Sequence, residues 1–299
     1  MALSIAHLGP SGTNAEVAAI LYANWLAQKT GQEPVLCPYP SIAQTLKAVG
    51  QGQVNQAVVP VENSVEGSVT ITLDTLWQLG TLQIQWALVL PIVHALLSEA
   101  KTTETIRMVY SHPQALAQCQ GWLETFLPTA QLIPTPSTTD ALQHLEDNPT
   151  VGAISSHRAA QIYNIPILAS PINDYPDNCT RFWILSLQPS PGGHCTSLAF
   201  TVHDTPGALV KPLQVFANRG INLSKIESRP TKRSLGDYLF FVDLEADARN
   251  PAVQAALEEL ARNTETLKIF GSYGVLPSQP FLGEERGIAS VRYSGSHYG

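Results

Sequence analysis

Charge is scarce in this chain. Asp, Glu, Lys and Arg make up 14% of its 299 residues, and 17 basic residues face 24 acidic ones, for a net charge of −7. A nucleic-acid binder needs a basic face, so no nucleic-acid partner is expected. The chain is not charged enough to read as disordered either. A small anionic ligand stays open, because a single Arg can hold a carboxylate through two parallel hydrogen bonds. Cysteine is also sparse. Cys37, Cys119, Cys179 and Cys195 form no CxxC pair, so they read as small buried apolar residues in a reducing compartment. Long apolar runs are missing. The longest, Trp86 to Val93, is far short of the ~20 residues of a membrane span, so no membrane partner is expected. The opening MALSIAHLGPSGT has neither a basic start nor a long apolar stretch. It does not read as a signal peptide, and a cytoplasmic location is expected. GxGxxG, HExxH, the Lys of a phosphate P-loop and a Ser-His-Asp spacing are all lacking, so neither cofactor nor metal is expected.

What is present is alternation. Apolar residues make up 44% of the chain, enough for a packed core, and the length suits two domains of roughly 100–200 residues each. Strand-like runs at Leu3–Leu8, Pro34–Cys37 and Ala57–Val61 alternate with helical patterns at Asn14–Gln28, Ile42–Val49 and Val69–Leu79. A long apolar region, Leu82–Leu97, follows. The series continues with strand 106–110, helix 113–126, strand 131–134, helix 138–145, strand 151–154, helix 155–163 and strand 182–187. Such alternation predicts mostly parallel sheets with helices on both faces. Gln188 to Gly193, QPSPGG, is a linker by composition. Beyond it, strands and helices fall in the order βαββαβ, the ferredoxin-like unit. From Pro277 to Gly299 no period is visible, and loose packing or disorder is expected.

Four polar clusters sit at strand ends. Gly9-Pro10-Ser11-Gly12-Thr13 follows the first strand, and Glu62-Asn63-Ser64 with Glu66 and Ser68 follows VVPV. Ser111-His112-Pro113-Gln114 opens a helix, and Asn178-Cys179-Thr180-Arg181-Phe182 enters the strand before the linker. Ligands of α/β proteins bind at the carboxyl ends of strands, and helix N-termini favour anions. Each cluster alone also fits an ordinary capped turn. Together they predict one crevice with hydroxyls, an amide, a carboxylate, an imidazole and a guanidinium.

In this order the clusters resemble the prephenate dehydratase family. Its GPxGT, ENSxxGSV, SHPQALxQC and NxTRF signatures stand here at Gly9–Thr13, Glu62–Val69, Ser111–Cys119 and Asn178–Phe182. The later unit looks like an ACT domain, with Gly207-Ala208-Leu209 and Glu227-Ser228-Arg229-Pro230 matching GAL and ESRP. One departure is Asn14-Ala15 after Thr13, where the family often has an aromatic residue. The resemblance implies an α/β fold: a two-lobed, doubly wound, periplasmic-binding-protein-like catalytic domain over 1–187, a linker at 188–195, a ferredoxin-like ACT domain over 196–276 and a tail at 277–299. Leu3 already opens the first strand, so no mutase segment is expected ahead of it.

The implied activity is conversion of prephenate to phenylpyruvate, with feedback by L-phenylalanine through the ACT domain. Family analogy puts Thr180 at the reacting centre, hydrogen-bonding the departing hydroxyl. Glu62 or His112 would relay the proton, and Arg181 would hold a substrate carboxylate. Asn63, Ser64, Ser68, Thr13 and Gln114 would complete the polar lining beside Phe182. Gly207, Ala208 and Leu209 would receive the effector, with Asn222, Glu227, Ser228 and Arg229 as the opposite wall. A homodimer or homotetramer is expected, since such domains commonly pair. Two other readings stay open: the same chemistry on arogenate, and a non-catalytic amino-acid sensor.

Overall fold

The computed structural model describes residues 3–146 and 148–277. The expectation for the tail therefore falls, after Pro277, outside the described residues. The first lobe begins with β1 (Ser4–Leu8), α1 (Asn14–Thr30), β2 (Val35–Tyr39) and α2 (Ile42–Gly50). It continues with β3 (Gln56–Asn63), the short β4 (Gly67–Ser68), α3 (Thr70–Leu79) and β5 (Gln83–Pro91). The chain then enters a second lobe: β6 (Ala95–Leu97), β7 (Met108–Ser111), α4 (Pro113–Ala117), α5 (Gln120–Phe126), β8 (Gln131–Pro134), β9 (Val151–Ser155), α6 (His157–Tyr163) and β10 (Ile167–Ala169). It returns through β11 (Cys179–Ser186). The expected two-lobed α/β arrangement with helices on both sheet faces is present. In the first lobe α1 covers one face, and α2 and α3 cover the other. The parallel trios β2-β1-β3 and β9-β7-β8 form the body of the two sheets. Each sheet also holds an antiparallel strand, β11 or β6, which is the strand arriving from the other lobe.

The long run Leu82–Leu97 is two strands in two lobes, β5 and β6, broken at residues 92–94. The expected helix over 113–126 is likewise two helices, broken at Gln118–Cys119. The expected helix at 138–145 is a 3-10 turn over Asp140–His144. The two crossings between lobes are laced together. His94 N donates to Asn173 Oδ1 at 2.7 Å, Asn173 Nδ2 donates to Ile92 O at 2.9 Å, and Ile92 N donates to Asn178 O at 2.8 Å.

The C-terminal unit is β12 (Cys195–Thr201), α7 (Val210–Ala217), β13 (Leu223–Pro230), β14 (Tyr238–Leu244), α8 (Pro251–Arg262) and β15 (Thr266–Val275). This is the expected βαββαβ order. Its sheet does not stand apart. The strand order runs β13-β14-β12-β15-β5-β11-β3-β1-β2, one continuous sheet through both units. β15 joins them, antiparallel to β12 and parallel to β5 through Gly274–Trp86 and Val275–Ala87. One apolar core spans the junction: Leu239, Phe241 and Phe270 are buried with Val49, Leu76 and Trp183. Three of the four cysteines are only half-buried, and Cys119 alone fits the buried reading; its thiol is pushed up to about 12 by burial. No helix among the described residues is long and apolar enough to cross a membrane.

Asp74 on α3 pins the two units. Arg229 Nε and Nη2 reach its carboxylate at 3.2 and 3.1 Å, and Lys232 Nζ at 2.6 Å. Burial alone would raise the Asp74 pKa, but the two cations hold it below the ordinary carboxylate value. The native state therefore favours the charged form. Its contribution is present above the ordinary Asp range and is lost as pH falls through the lowered native pKa. Asp74→Asn is expected to lower stability at neutral pH by roughly 1–3 kcal/mol. It is also expected to flatten the acid limb. Urea midpoints at pH 7 and pH 3 check this; an unchanged acid limb refutes it.

Candidate active site

The strand β3 carries the central side chain. Asn63 is buried, and its Nδ2 lies within hydrogen-bonding reach of Asn178 Oδ1 (2.8 Å), Thr180 Oγ1 (3.0 Å) and Cys179 O (3.1 Å). Its Oδ1 accepts from the N–H groups of Val65 and Glu66, both at 3.1 Å, which fixes the turn. Gln118 Nε2 adds a longer bond to the same Oδ1 at 3.3 Å and reaches Glu66 Oε1 at 3.4 Å. On its other side Gln118 Oε1 accepts from Asn178 Nδ2 and His94 Nε2, both at 2.9 Å. Burial lowers the His94 pKa, so its imidazole is neutral and Nε2 carries the proton. Ser64 closes the turn onto β11: its Oγ accepts from Cys179 N at 3.0 Å. These residues come from both lobes and both crossings. The result is a buried amide network, with the exposed Glu66 carboxylate at its margin, ending on one hydroxyl, Thr180, which is 9% exposed.

A β-bulge sets which side chains meet there. On β11, Thr180 opposes Asn63 and Arg181 opposes Glu62, but Phe182 opposes Pro60. Val61 is the extra residue. Side chains alternate along a strand, so Thr180 and Phe182 share one face and Arg181 and Trp183 the other. The bulge sends Glu62 to the Arg181 face and Asn63 to the Thr180 face.

The prephenate dehydratase family model matches residues 5–190, which takes in every residue of this network. The chain belongs to the prephenate dehydratase family. An ACT domain model matches residues 196–262. The bifunctional chorismate mutase/prephenate dehydratase of Aquifex aeolicus is 41% identical over 91% of this chain and 73% of its own length. The prephenate dehydratase of Lactococcus lactis subsp. cremoris is 36% identical over 91% of this chain and 98% of its own. Among solved structures, the prephenate dehydratase of Arthrobacter aurescens in complex with L-Phe superimposes with a TM-score of 0.79. It is 34% identical and covers 91% of this chain and 90% of its own.

In this prephenate dehydratase scaffold the expected site residues separate. Asn63, Ser64 and Thr180 come together. Arg181 and Glu62 do not join them. Arg181 Nη1 pairs with Glu62 Oε2 at 3.3 Å and faces Asp243 Oδ2 of β14 at 3.6 Å, on the side of the ACT sheet. The pleat, together with the bulge, takes both off the Thr180 face, which corrects their placement beside the reacting centre. Phe182 is 2% exposed in the core beneath α1, packed with Leu88 and Leu90 rather than lining a crevice. Thr13 caps α1, accepting from Glu16 N at 3.3 Å, and Ser68 pairs across from Glu62. His112 caps α4 with its ring, accepting from Gln114 N at 3.2 Å, and burial lowers its pKa. The Gln114 side chain is exposed. Among the described residues no hydrogen bond links Thr13, His112 or Gln114 to Asn63 or Thr180.

Gln118, His94 and Asn178 were missed as site residues. Gln118 and Asn178 lay within the matched signatures. Gln118 also stands three residues after the buried Ala115, a polar residue on an apolar helix face. His94 interrupts the long apolar run. The expected effector site divides too. On β13, Glu227 and Arg229 oppose Phe241 and Leu239, on the face toward the catalytic lobe, while Ser228 opposes Phe240 on the helix face. Glu227 and Arg229 therefore cannot share a wall with Ser228. Gly207 is exposed at a left-handed φ of 79° before α7, and Asn222 Nδ2 holds Glu245 at 2.8 Å.

Proposed function

We propose that this chain converts prephenate to phenylpyruvate, releasing carbon dioxide and water, under feedback by L-phenylalanine held at its ACT domain. The observation that carries the reading is the Thr180 hydroxyl at the end of a buried network of amide side chains. Its oxygen accepts from Asn63, so its own hydrogen is free to point at a leaving group. In the reaction the bond from the ring to the hydroxyl breaks as the ring carboxylate departs as carbon dioxide. The electrons of the broken C–C bond complete the aromatic ring. Hydroxide leaves and becomes water with a proton that comes from solvent. A hydroxyl alone is a weak acid. Its role is a hydrogen bond aimed at charge that develops on the departing oxygen, in a site with little competing water. Gln118 and Asn178 hold Asn63 in register. Glu66 is the carboxylate hydrogen-bonded to this network, through Gln118.

The L-Phe complex of the Arthrobacter aurescens relative supports the effector reading. Gly207, Ala208, Leu209, Asn222 and Ser228 remain as its candidate residues. Along its outer side β13 has no strand partner among the described residues, and its Ile226 is exposed. An uncovered edge of this kind suits pairing with a second copy, so a homodimer or a dimer of dimers goes with the reading. Cytoplasmic residence goes with it as well. The test is phenylpyruvate formation from prephenate with and without L-phenylalanine. The expected result is an apparent affinity for prephenate that falls roughly 5–150-fold at saturating effector, read as slower phenylpyruvate formation at sub-saturating prephenate. No phenylpyruvate refutes the catalytic reading. Faster turnover on arogenate reassigns the substrate and leaves the chemistry intact.

A further inference from the structure

The ion pairs between β13 and the catalytic lobe fall at two places, on either side of one turn. Lys225 Nζ meets Glu62 Oε1 at 3.3 Å, immediately before Asn63. Arg229 meets Asp74 on α3, the helix that follows the same turn. The two cations are four residues apart on one face of a strand, so they move together when the strand moves. Both pairs are partly sheltered: side-chain exposure is 14% for Lys225 and 29% for Glu62, and 20% for Arg229 and 10% for Asp74. Sheltered pairs are screened less than surface ones, and their geometry matters more. Glu62 is also held by Arg181, whose neighbour on β11 is Thr180. The opposite face of β13 carries Ser224, Ile226 and Ser228, all exposed. One strand thus faces outward with alternate residues and grips both flanks of the Asn63 turn with the others.

We propose that β13 couples the ACT domain to catalysis, with Lys225–Glu62 and Arg229–Asp74 as the two grips that transmit its position to Asn63 and Thr180. The proposal rests on L-phenylalanine acting at the ACT domain. A shift of β13 on effector binding pulls on Glu62 and α3 together. The bulge at Val61 is the compliant point between them, because its extra residue is unpaired with β11. Lys225 takes no part in the reaction. Lys225→Met removes one grip and leaves Glu62 paired with Arg181.

The experiment measures three quantities on the full chain: L-phenylalanine binding by calorimetry, turnover without effector, and turnover at saturating effector. For Lys225→Met the expected result is effector binding retained and uninhibited turnover within about threefold of the parent. Inhibition at saturation should be weakened at least about fivefold, the low end of typical coupling. Should Lys225→Met fail to fold, Asp74→Asn carries the same test through the other grip. Unchanged inhibition with effector bound overturns this proposal alone. A parent chain that binds no L-phenylalanine overturns the effector reading and this proposal with it.

Discussion

Thr180→Ala is expected to lower the turnover number at least about a hundredfold, the usual loss when a proton-handling contributor is removed. That corresponds to about 2.7 kcal/mol of transition-state stabilisation. The fold should survive. Asn63 Nδ2 keeps Asn178 Oδ1 and Cys179 O as acceptors when Thr180 Oγ1 is gone, so the cost to stability is about 1 kcal/mol. Thr180→Ser restores the hydroxyl and should recover turnover to within about tenfold of the parent. The Michaelis constant for prephenate should move little in either variant, because the interaction strengthens only in the transition state. Steady-state rates and a urea titration on the three proteins decide it. A Thr180→Ala protein with near-parental turnover removes this hydroxyl from the mechanism.

The second large effect is expected at Asn63. Asn63→Asp keeps the shape and still accepts from Val65 N and Glu66 N, so the turn stays capped. What it loses is the donor. A carboxylate oxygen would then face Asn178 Oδ1, Cys179 O and Thr180 Oγ1, all acceptors in the present arrangement. Asn178 and Gln118 must flip or leave bonds unmade, and a charge is buried without a cation beside it. The expected loss of stability is at least about 2 kcal/mol. Turnover should fall further than for Thr180→Ala, because the hydroxyl is then drawn toward the new carboxylate and away from substrate. Urea midpoints and turnover measured side by side check both parts. Parental turnover in Asn63→Asp would show that donation to Thr180 is irrelevant.

Much of the frame was legible in the residues, for identifiable reasons. Strand and helix periods mark β1 through α3 and the βαββαβ order of the C-terminal unit within a few residues. Three of the four strand-end clusters mark the signatures that carry the site, those holding Asn63, Gln118 and Thr180. What failed was direction and continuity. The alternation Thr180, Phe182 against Arg181, Trp183 was available in the sequence and already opposes Arg181 to Thr180. The bulge at Val61 was not, since nothing in VVPVEN distinguishes a bulged strand from a regular one. Without it Glu62 would stand on the other face. Leu82–Leu97 reads as a single apolar stretch because both halves are buried, although they belong to different lobes. The helix break at Gln118–Cys119 is a tertiary effect. The Gln118 side chain is held by Asn178, His94 and Asn63, three groups remote in sequence, so local propensity carries no trace of it.

The strand β15 decides what can be done with the regulatory half by engineering. It is bonded to β12 on one side and β5 on the other, and Leu276 just beyond it is buried in the catalytic lobe. Nicking the backbone at Pro189–Gly193 would leave two fragments still zipped along one sheet. Truncation ahead of Thr266 would strip an edge from both halves at once. The ACT unit is therefore not a detachable cassette. A graft of a foreign sensor onto this lobe must bring its own version of that last strand, in register with Trp86 and Ala87.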